Sequence, residues 1–184
     1  MNTAQSAKLF VVDAGPLIAL AVAQILPLVL AQYGGLIVPQ AVLAECLTNA
    51  QRPGAESIRA VLESQAITVI PQNEIRLLDP VYASGLGSGE QAVLAYALQR
   101  MNHGTEQLFA LIDDERARKL ALRLHVRTAR TGTILLDLKS SGRLKAIKPA
   151  IQAWRKHGYF VRDDVVAALL ARAEENVPQN ASLD

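Results

Sequence analysis

The sequence has few of the residues that stabilise small secreted proteins or build aromatic surfaces. It contains a single cysteine, Cys46, so an internal disulfide is excluded, which fits the reducing cytoplasm. Cys46 itself is expected to be a small buried core residue. Aromatic residues make up 4% of the chain and hydrophobic residues 51%, so the core is predicted to be aliphatic. So few aromatic rings also argue against a surface that stacks nucleic-acid bases.

The chain also lacks an uninterrupted apolar segment of membrane-spanning length. Residues 14–31 come closest, with Gln24 as the one clearly polar side chain. Asp13 directly abuts this segment, however, and Pro27 lies deep enough inside it to break a helix. The same interruptions argue against a signal peptide. Two short buried helices are therefore expected here, in a cytoplasmic protein that does not enter a membrane.

Acidic residues are nearly missing between residues 116 and 156, where 12 Lys and Arg accompany Asp137 alone. Residues 1–115 instead hold 11 Asp and Glu against 5 Lys and Arg, and the whole chain has a net charge of +2. Arg116, Lys119 and Arg123 recur at helical spacing, which a solvated helix face would also show. Because such a face normally mixes both signs, the basic stretch is interpreted as a phosphate-binding surface, with these three as candidate nucleic-acid-binding residues.

Apolar runs of four to six residues alternate with longer amphipathic segments along the chain. This rhythm is typical of a parallel sheet flanked by helices. The length of 184 residues fits one α/β domain, predicted over residues 1–176 and followed by a polar tail at residues 177–184. The predicted strands have the sequences KLFVV, LIV, AITVI, LFALI and HVRTA.

Two further predictions concern the middle of the chain. Residues 72–84 have no clear period and are predicted to be a loop. Apolar residues then recur at helical spacing, which predicts a long helix from Gly89 to about Met101 with Ser88 as its N-cap.

Carboxylates interrupt the apolar elements at four places. Asp13 follows LFVV, Glu45 lies within AVLAECL, Glu90 opens a helix after GLGSG, and Asp113 with Asp114 ends LFALI. An ionised side chain in such a place is costly unless a cation or a hydrogen bond compensates it. Ligands of open α/β sheets gather outside the carboxyl ends of the strands, where the acids that follow strands should lie. Oxygen ligands of this kind select hard cations, here Mg²⁺ or Mn²⁺.

Each acid also has an ordinary structural explanation. Glu90 and Asp114 fit the first turn of a helix, where negative charge is favourable, and Glu45 fits an exposed helix position. Asp13 is harder to explain in this way, because it interrupts an apolar stretch that runs from Leu9 to Leu30. Together the four places favour a divalent-metal site, and such a site beside a basic surface fits hydrolysis of a phosphodiester.

The order of these motifs resembles the PIN-domain family. The resemblance covers about residues 8 to 175 and is carried by VVDAGPLIAL, VLAEC, GLGSGEQAVLAYAL, LIDDERARKLA and TGTILLDLKSSGRLKAI. It implies a three-layer α/β/α sandwich with a central, mainly parallel sheet, and usually a homodimer. It further implies a metal-dependent ribonuclease, taken to be an endoribonuclease, with Mg²⁺ or Mn²⁺ as cofactor. RNA is then the substrate, and an antitoxin protein is a partner where the enzyme is the toxin of a toxin–antitoxin pair.

Carried over by position, the resemblance also implies a set of site residues. The residues that it places in one catalytic and metal-binding acidic pocket are Asp13, Glu45, Glu90 and either Asp113 or Asp114. Family members commonly have Asn, Thr or Ser after the first Asp, where this chain has Ala14.

Two other functions share features with this sequence. LFALIDDERARKLAL is similar to the first strand and acidic pair of a signalling receiver domain, but only 70 residues remain after Asp114, too few to complete that domain. The second alternative, a catalytically degenerate PIN-like module that binds RNA or a protein without cutting, stays open because of Ala14. Metal-dependent cleavage of RNA would separate this module from the ribonuclease.

Overall fold

The structure is a computed structural model that describes residues 8–49, 51–102 and 107–175. Five strands form one sheet in the order β3-β2-β1-β4-β5, and every neighbouring pair is parallel. The strands are β1 (Leu9–Val12), β2 (Leu36–Pro39), β3 (Ile67–Ile70), β4 (Leu108–Leu111) and β5 (Thr128–Ala129). Each strand coincides with one of the predicted segments, although β2 extends one residue beyond LIV to Pro39 and the last segment contributes only two residues.

Ten α-helices flank this sheet within the described ranges. They are α1 (Ala14–Val22), α2 (Leu26–Tyr33), α3 (Gln40–Leu47), α4 (Ala55–Glu63), α5 (Asp79–Tyr82), α6 (Ser88–Asn102), α7 (Glu115–Arg123), α8 (Thr131–Ser140), α9 (Lys148–Lys156) and α10 (Asp163–Arg172). Helices α1, α2, α4 and α8 form one contacting group, and α3, α6 and α7 form another in which α6 packs on β1, β2 and β4. With the sheet they make the predicted three-layer α/β/α sandwich.

The core is aliphatic, as the composition predicted. Val11, Val12 and Leu111 are fully buried, because the central strands of a parallel sheet are covered by helices on both faces. Each such side chain contributes about 1.5–3 kcal/mol of hydrophobic free energy. Cys46 is buried as predicted, and its thiol lies 3.9 Å from the carbonyl oxygen of Ala14, within reach of a weak S–H···O contact.

Residues 14–31 contribute to the two short helices that the sequence predicted, α1 and α2. Pro27 lies in the first turn of α2, and the axes of the two helices differ by 113°. In the described part of the chain, no single helix is long and apolar enough to cross a membrane. This bent pair meets the length and composition requirements only when its helices are joined. Leu20 and Leu26 are fully buried in the core.

Two predictions for the middle of the chain are wrong. Residues 72–84 are not an irregular loop, because they contain a 3₁₀ helix at Gln72–Glu74 and the one-turn helix α5. Elements of three and four residues are too short to show a helical period, and α5 is instead anchored by the fully buried Val81. Ser88 is the first residue of α6 and not its N-cap. The single domain over residues 1–176 stays a prediction, and the tail at 177–184 lies outside the described residues.

Candidate active site

The strand order places a crevice between β1 and β4. The chain continues from β1 to β2 and β3 on one side, whereas β4 and β5 extend the sheet on the other side. At such a switch point the two connections leave toward opposite faces, which opens a crevice outside the carboxyl ends of the central strands. Val12 pairs with Leu111, and the N–H of Asp13 donates to the carbonyl of Leu111 at 3.1 Å. Asp13 and Asp113 therefore leave the sheet at this crevice.

Asp13 lies at the bottom of the acidic cluster. It is 7% exposed. The pKa of Asp13 is raised from 3.8 to about 7, mainly because burial disfavours the charged form. A hydrogen bond from the N–H of Ala14 counteracts this shift, and the negative charges of Glu90, Glu45 and Asp113 add to it. Four of the five predicted carboxylates thus interact electrostatically around one buried position.

Glu45 and Asp13 approach each other over Gly89, in the first turn of α6. The position that a Cβ atom would take on Gly89 is 3.4 Å from Oε2 of Glu45 and 3.5 Å from Oδ1 of Asp13. It is also 3.2 Å from Cγ2 of Val42, so α3 and α6 are closely packed here. Any larger residue would fill the space between the two carboxylates. The sequence did not identify this role of Gly89.

Glu90 has both a structural contact and an electrostatic one. It is the third residue of α6, and its Oε2 accepts the N–H of Gly87 at 2.9 Å. A glutamate in this position that reaches back to the N–H preceding the helix forms half of a capping box. Glu90 therefore stabilises the N-terminus of α6, as its structural explanation predicted. Its charge nevertheless contributes to raising the pKa of Asp13, so the same carboxylate also belongs to the acidic cluster.

The structure separates the two neighbouring aspartates. Oδ1 of Asp113 accepts the N–H of Thr131 at 2.9 Å, and Oδ2 accepts the hydroxyls of Thr131 and Tyr159, each at 2.5 Å. Asp114 is the N-cap of α7, where its Oδ1 accepts the N–H of Ala117 at 2.8 Å. Of the pair, Asp113 is the one whose charge acts on Asp13.

Tyr159 and Thr131 are site residues that the sequence did not identify as such. Burial and the charge of Asp113 raise the pKa of Tyr159, so its hydroxyl stays protonated and donates. The ring of Trp154 lies 5.7 Å from that of Tyr159, and the indole N–H of Trp154 donates to the carbonyl of Ala19 at 2.8 Å. The segment after α9 is thereby anchored on α1. No periodicity in the sequence indicates either partner of Asp113.

The donor set fits a hard divalent cation in chemistry. Its ligands would all be carboxylate oxygens, and the charges of Glu45, Glu90 and Asp113 oppose ionisation of Asp13 unless a cation compensates them. In the residues that the structure describes, no three Asp, Glu, His or Cys side chains lie close enough together to hold a metal ion. Glu45 is exposed, so its side chain can change rotamer with little loss of packing.

The histidines lie away from this cluster as far as the structure describes them. His125 and His157 are exposed and lie at helix ends. His103 lies outside the described residues.

The predicted nucleic-acid-binding residues line one groove. Arg116, Lys119 and Arg123 border a space of about 500 Å³ on α7, together with Ser84, Leu86, Leu120 and Leu122. None of the described lining residues is acidic. The guanidinium of Arg116 also donates to the carbonyl oxygen of Gly85 at 3.5 Å. Helix α6, whose first turn carries Glu90, begins three residues later at Ser88. The groove therefore adjoins the loop that leads into the acidic cluster.

Other cations of the basic stretch are neutralised by acids from elsewhere. Lys139 pairs with Glu175 at 2.7 Å, Arg130 with Glu115 at 3.0 Å, and Arg155 with Asp163. The charge count of the sequence therefore overstates the free positive surface. None of the ion pairs among the described residues involves Arg116, Lys119 or Arg123 on α7.

A comparison with known families gives an independent identification. The model of a family described as DUF3368, a PIN domain, matches residues 9–175. No curated protein matches the chain. The matched range contains the whole sheet, the acidic cluster and the groove on α7.

Proposed function

Because the chain belongs to the PIN-domain family, whose members are generally nucleases, we propose that it cleaves RNA phosphodiester bonds with Mg²⁺ or Mn²⁺ as cofactor. The observation that supports this proposal is the buried carboxylate of Asp13, whose pKa is about 7 in a cluster of like charges. Glu90 also has a structural contact, but the mutual repulsion of these acids around Asp13 costs stability that a bound cation would offset.

The four carboxylates have separable roles in this proposal. Asp13, Glu45, Glu90 and Asp113 would hold the cation. When bound, it would activate water for attack on the phosphate and offset the charge that develops on the phosphate oxygens. The three hydrogen bonds to Asp113 keep its carboxylate in one orientation. Burial of Asp13 excludes water from one side of the site, which strengthens electrostatic interactions within it.

The groove on α7 is proposed to bind the RNA backbone. Arg116, Lys119 and Arg123 present three cations without an acidic neighbour in the groove, and phosphate contacts of this kind position a strand without selecting its sequence. The toxin role, the antitoxin partner, the homodimer and the cytoplasmic location stay predictions from the sequence.

Cleavage of linear and circular single-stranded RNA in the presence of Mg²⁺, Mn²⁺ or EDTA tests the reaction. Cutting of the circle identifies an endonuclease, and loss of cutting in EDTA identifies the metal requirement. Asp13→Asn should lower the rate by about a hundredfold or more, which corresponds to ~2.7 kcal/mol in the barrier. Asp79→Asn is the matched control, because Asp79 is an exposed acid in the first turn of another helix. Protein that binds RNA but cuts it with neither metal is the degenerate binding module instead.

The salt dependence of RNA binding tests the groove separately from cutting. In an Asp13→Asn background, each phosphate contact removed should lower the slope of log affinity against log salt by about 0.7 for a single strand. Replacing both Arg116 and Lys119 with Ala removes one to two phosphate contacts and should therefore lower that slope by about 0.7 to 1.4. An unchanged slope would place the RNA path elsewhere.

A further inference from the structure

A second cleft begins at the acidic cluster and leads away from it along α8 and α10. It encloses about 800 Å³, and Asp113 and Thr131 lie in its wall. The position of a Cβ on Gly132 would be 2.8 Å from Cδ2 of Leu169, so α10 packs directly against the first turn of α8. Residues 159–162 form another part of the wall, and in this segment Tyr159 donates to Asp113. The cleft is therefore continuous with the proposed reaction site.

The rim of this cleft carries an exposed aromatic ring. Phe160 is 86% exposed and directly follows Tyr159. In the described part of the chain, the other large hydrophobic side chains left in solvent are Tyr82 and Leu122, neither of which lines this cleft. An exposed planar ring offers a face on which another flat, apolar surface can stack.

Cations lie beside the ring. Arg130, Arg162 and Arg172 all line the cleft. Arg130 pairs with Glu115, and Arg162 pairs with Asp164 through two hydrogen bonds; both acids also line the cleft. Because both pairs are exposed, each guanidinium can exchange its carboxylate for another anion. None of the ion pairs among the described residues involves Arg172. The guanidinium groups are thus available to phosphates, for which their planar donor geometry is suited.

We propose that this cleft binds nucleotides that flank the scissile phosphate in single-stranded RNA, with Phe160 stacked on a base and Arg162 and Arg172 in contact with the backbone. This inference rests on the proposed ribonuclease function and names its substrate class. Bases in a duplex are stacked on each other, whereas a splayed single strand presents a base face to an aromatic side chain. The small number of aromatic residues excluded an extended stacking platform, but one ring is enough for one base.

The occupant is inferred to be RNA because ring, cations and site carboxylate share one cleft. A stacked base positions its neighbouring phosphate, and the backbone can then continue past the cations toward Asp113. A second copy of the chain or another protein on Phe160 would block the approach to Asp113 from this side. That arrangement is an outcome that the experiment distinguishes.

The test measures affinity for a short labelled single-stranded RNA in an Asp13→Asn background, so that binding is separated from cutting. Phe160→Ala should weaken binding by roughly 5- to 150-fold, the range for removal of one base–aromatic stack. Phe160→Trp should retain or improve affinity. Tyr82→Ala is the matched control, because Tyr82 is 71% exposed on α5 and should leave affinity unchanged. An RNA with abasic riboses at the flanking positions has no base to stack on Phe160. It should therefore bind equally well to the Asp13→Asn protein with and without Phe160→Ala.

Each other outcome overturns the proposal in a different way. If Phe160→Ala binds RNA like Tyr82→Ala while the Arg116 and Lys119 double variant binds weakly, the cleft does not hold RNA and the proposed function stands. If the Asp13→Asn protein without further substitutions does not bind RNA, both the proposal for the cleft and the proposed ribonuclease function are wrong. If Phe160→Ala alters the mass measured by light scattering but not the affinity for RNA, the cleft is an interface between protein chains. Since Phe160 is exposed, an unchanged melting temperature will show that its variants fold.

Discussion

Replacing Asp13 with Asn is expected to stabilise the metal-free protein at neutral and alkaline pH. Burial raises the pKa of Asp13 from 3.8 to about 7, so between these values the folded state holds a proton that the unfolded chain releases. Proton binding by Asp13 stabilises the folded state fully when the pH is below the pKa of Asp13 in the unfolded chain. This stabilisation falls as the pH rises and is lost once the pH passes the pKa of Asp13 in the folded protein. Asn has nearly the same shape but no charge to bury.

The magnitude follows from the size of the shift. One pKa unit corresponds to about 1.4 kcal/mol, so the full shift sets an upper limit of ~4 kcal/mol on the destabilisation caused by ionised Asp13. Movement of the exposed Glu45 away from Asp13 lowers this destabilisation. At a pH above the pKa of folded Asp13, we therefore expect Asp13→Asn to be more stable than the wild type by about 2–4 kcal/mol. For a domain of this size the gain corresponds to a melting temperature about 5–15 °C higher.

The assay is a series of thermal melts in EDTA from about pH 5 to about pH 8, a window that brackets the raised pKa. The melting temperature of wild-type protein should fall relative to that of Asp13→Asn as the pH rises. Mn²⁺ at a hundred times its dissociation constant should add ~2.7 kcal/mol to the wild type and little to the variant, which narrows the difference. Asp79→Asn should follow the wild type within about 0.5 kcal/mol. Parallel curves for wild type and Asp13→Asn, or a less stable variant at the alkaline end, would refute the argument from buried repulsion.

Four further substitutions test individual contacts. Tyr159→Phe removes a hydrogen-bond donor to Asp113 and should slow single-turnover cleavage by about tenfold. An unchanged circular dichroism spectrum would show that the variant folds. An unchanged rate would show that Thr131 alone orients the carboxylate. Asp114→Ala should lower the free energy of unfolding in urea by ~1 kcal/mol, because a helix cap is lost, and should not slow cleavage. Asp113→Asn should slow cleavage by about a hundredfold. The reverse pattern would mean that Asp114 is the site carboxylate and Asp113 the structural one. Gly132→Ala should cost about 1–3 kcal/mol in urea, because its Cβ overlaps Leu169, and a neutral result would mean that α10 shifts freely.

Local chemistry explains the features that were predictable. The strands are short runs of aliphatic residues buried on both faces, which leave a direct signature in the sequence. Pro27 had to interrupt residues 14–31 because a proline inside a helix loses a hydrogen bond and clashes with the preceding turn. Acids at the ends of LFVV and LFALI had to emerge at the carboxyl edge of the sheet, since parallel strands end on the same side.

Contacts between distant parts of the chain were not predictable. Asp113 and Asp114 are adjacent and chemically identical, and only the position of α8 decides that Thr131 bonds the first while the second caps α7. Tyr159 reaches Asp113 from 46 residues away, a distance over which no residue pattern persists. The free positive charge was likewise overestimated, because acids far along the chain neutralise cations such as Lys139.

The sequence by itself thus determined the strands, the breaks between helices, the acids at the sheet edge and the family, because each depends on residue types within a few positions of one another. Only the tertiary structure decided that Asp113 and not Asp114 acts on Asp13, which hydroxyls bind Asp113, and that Phe160 is exposed in the same cleft. These depend on the packing of α9 and α10 against α1 and α8, which the order of residue types along the chain does not specify.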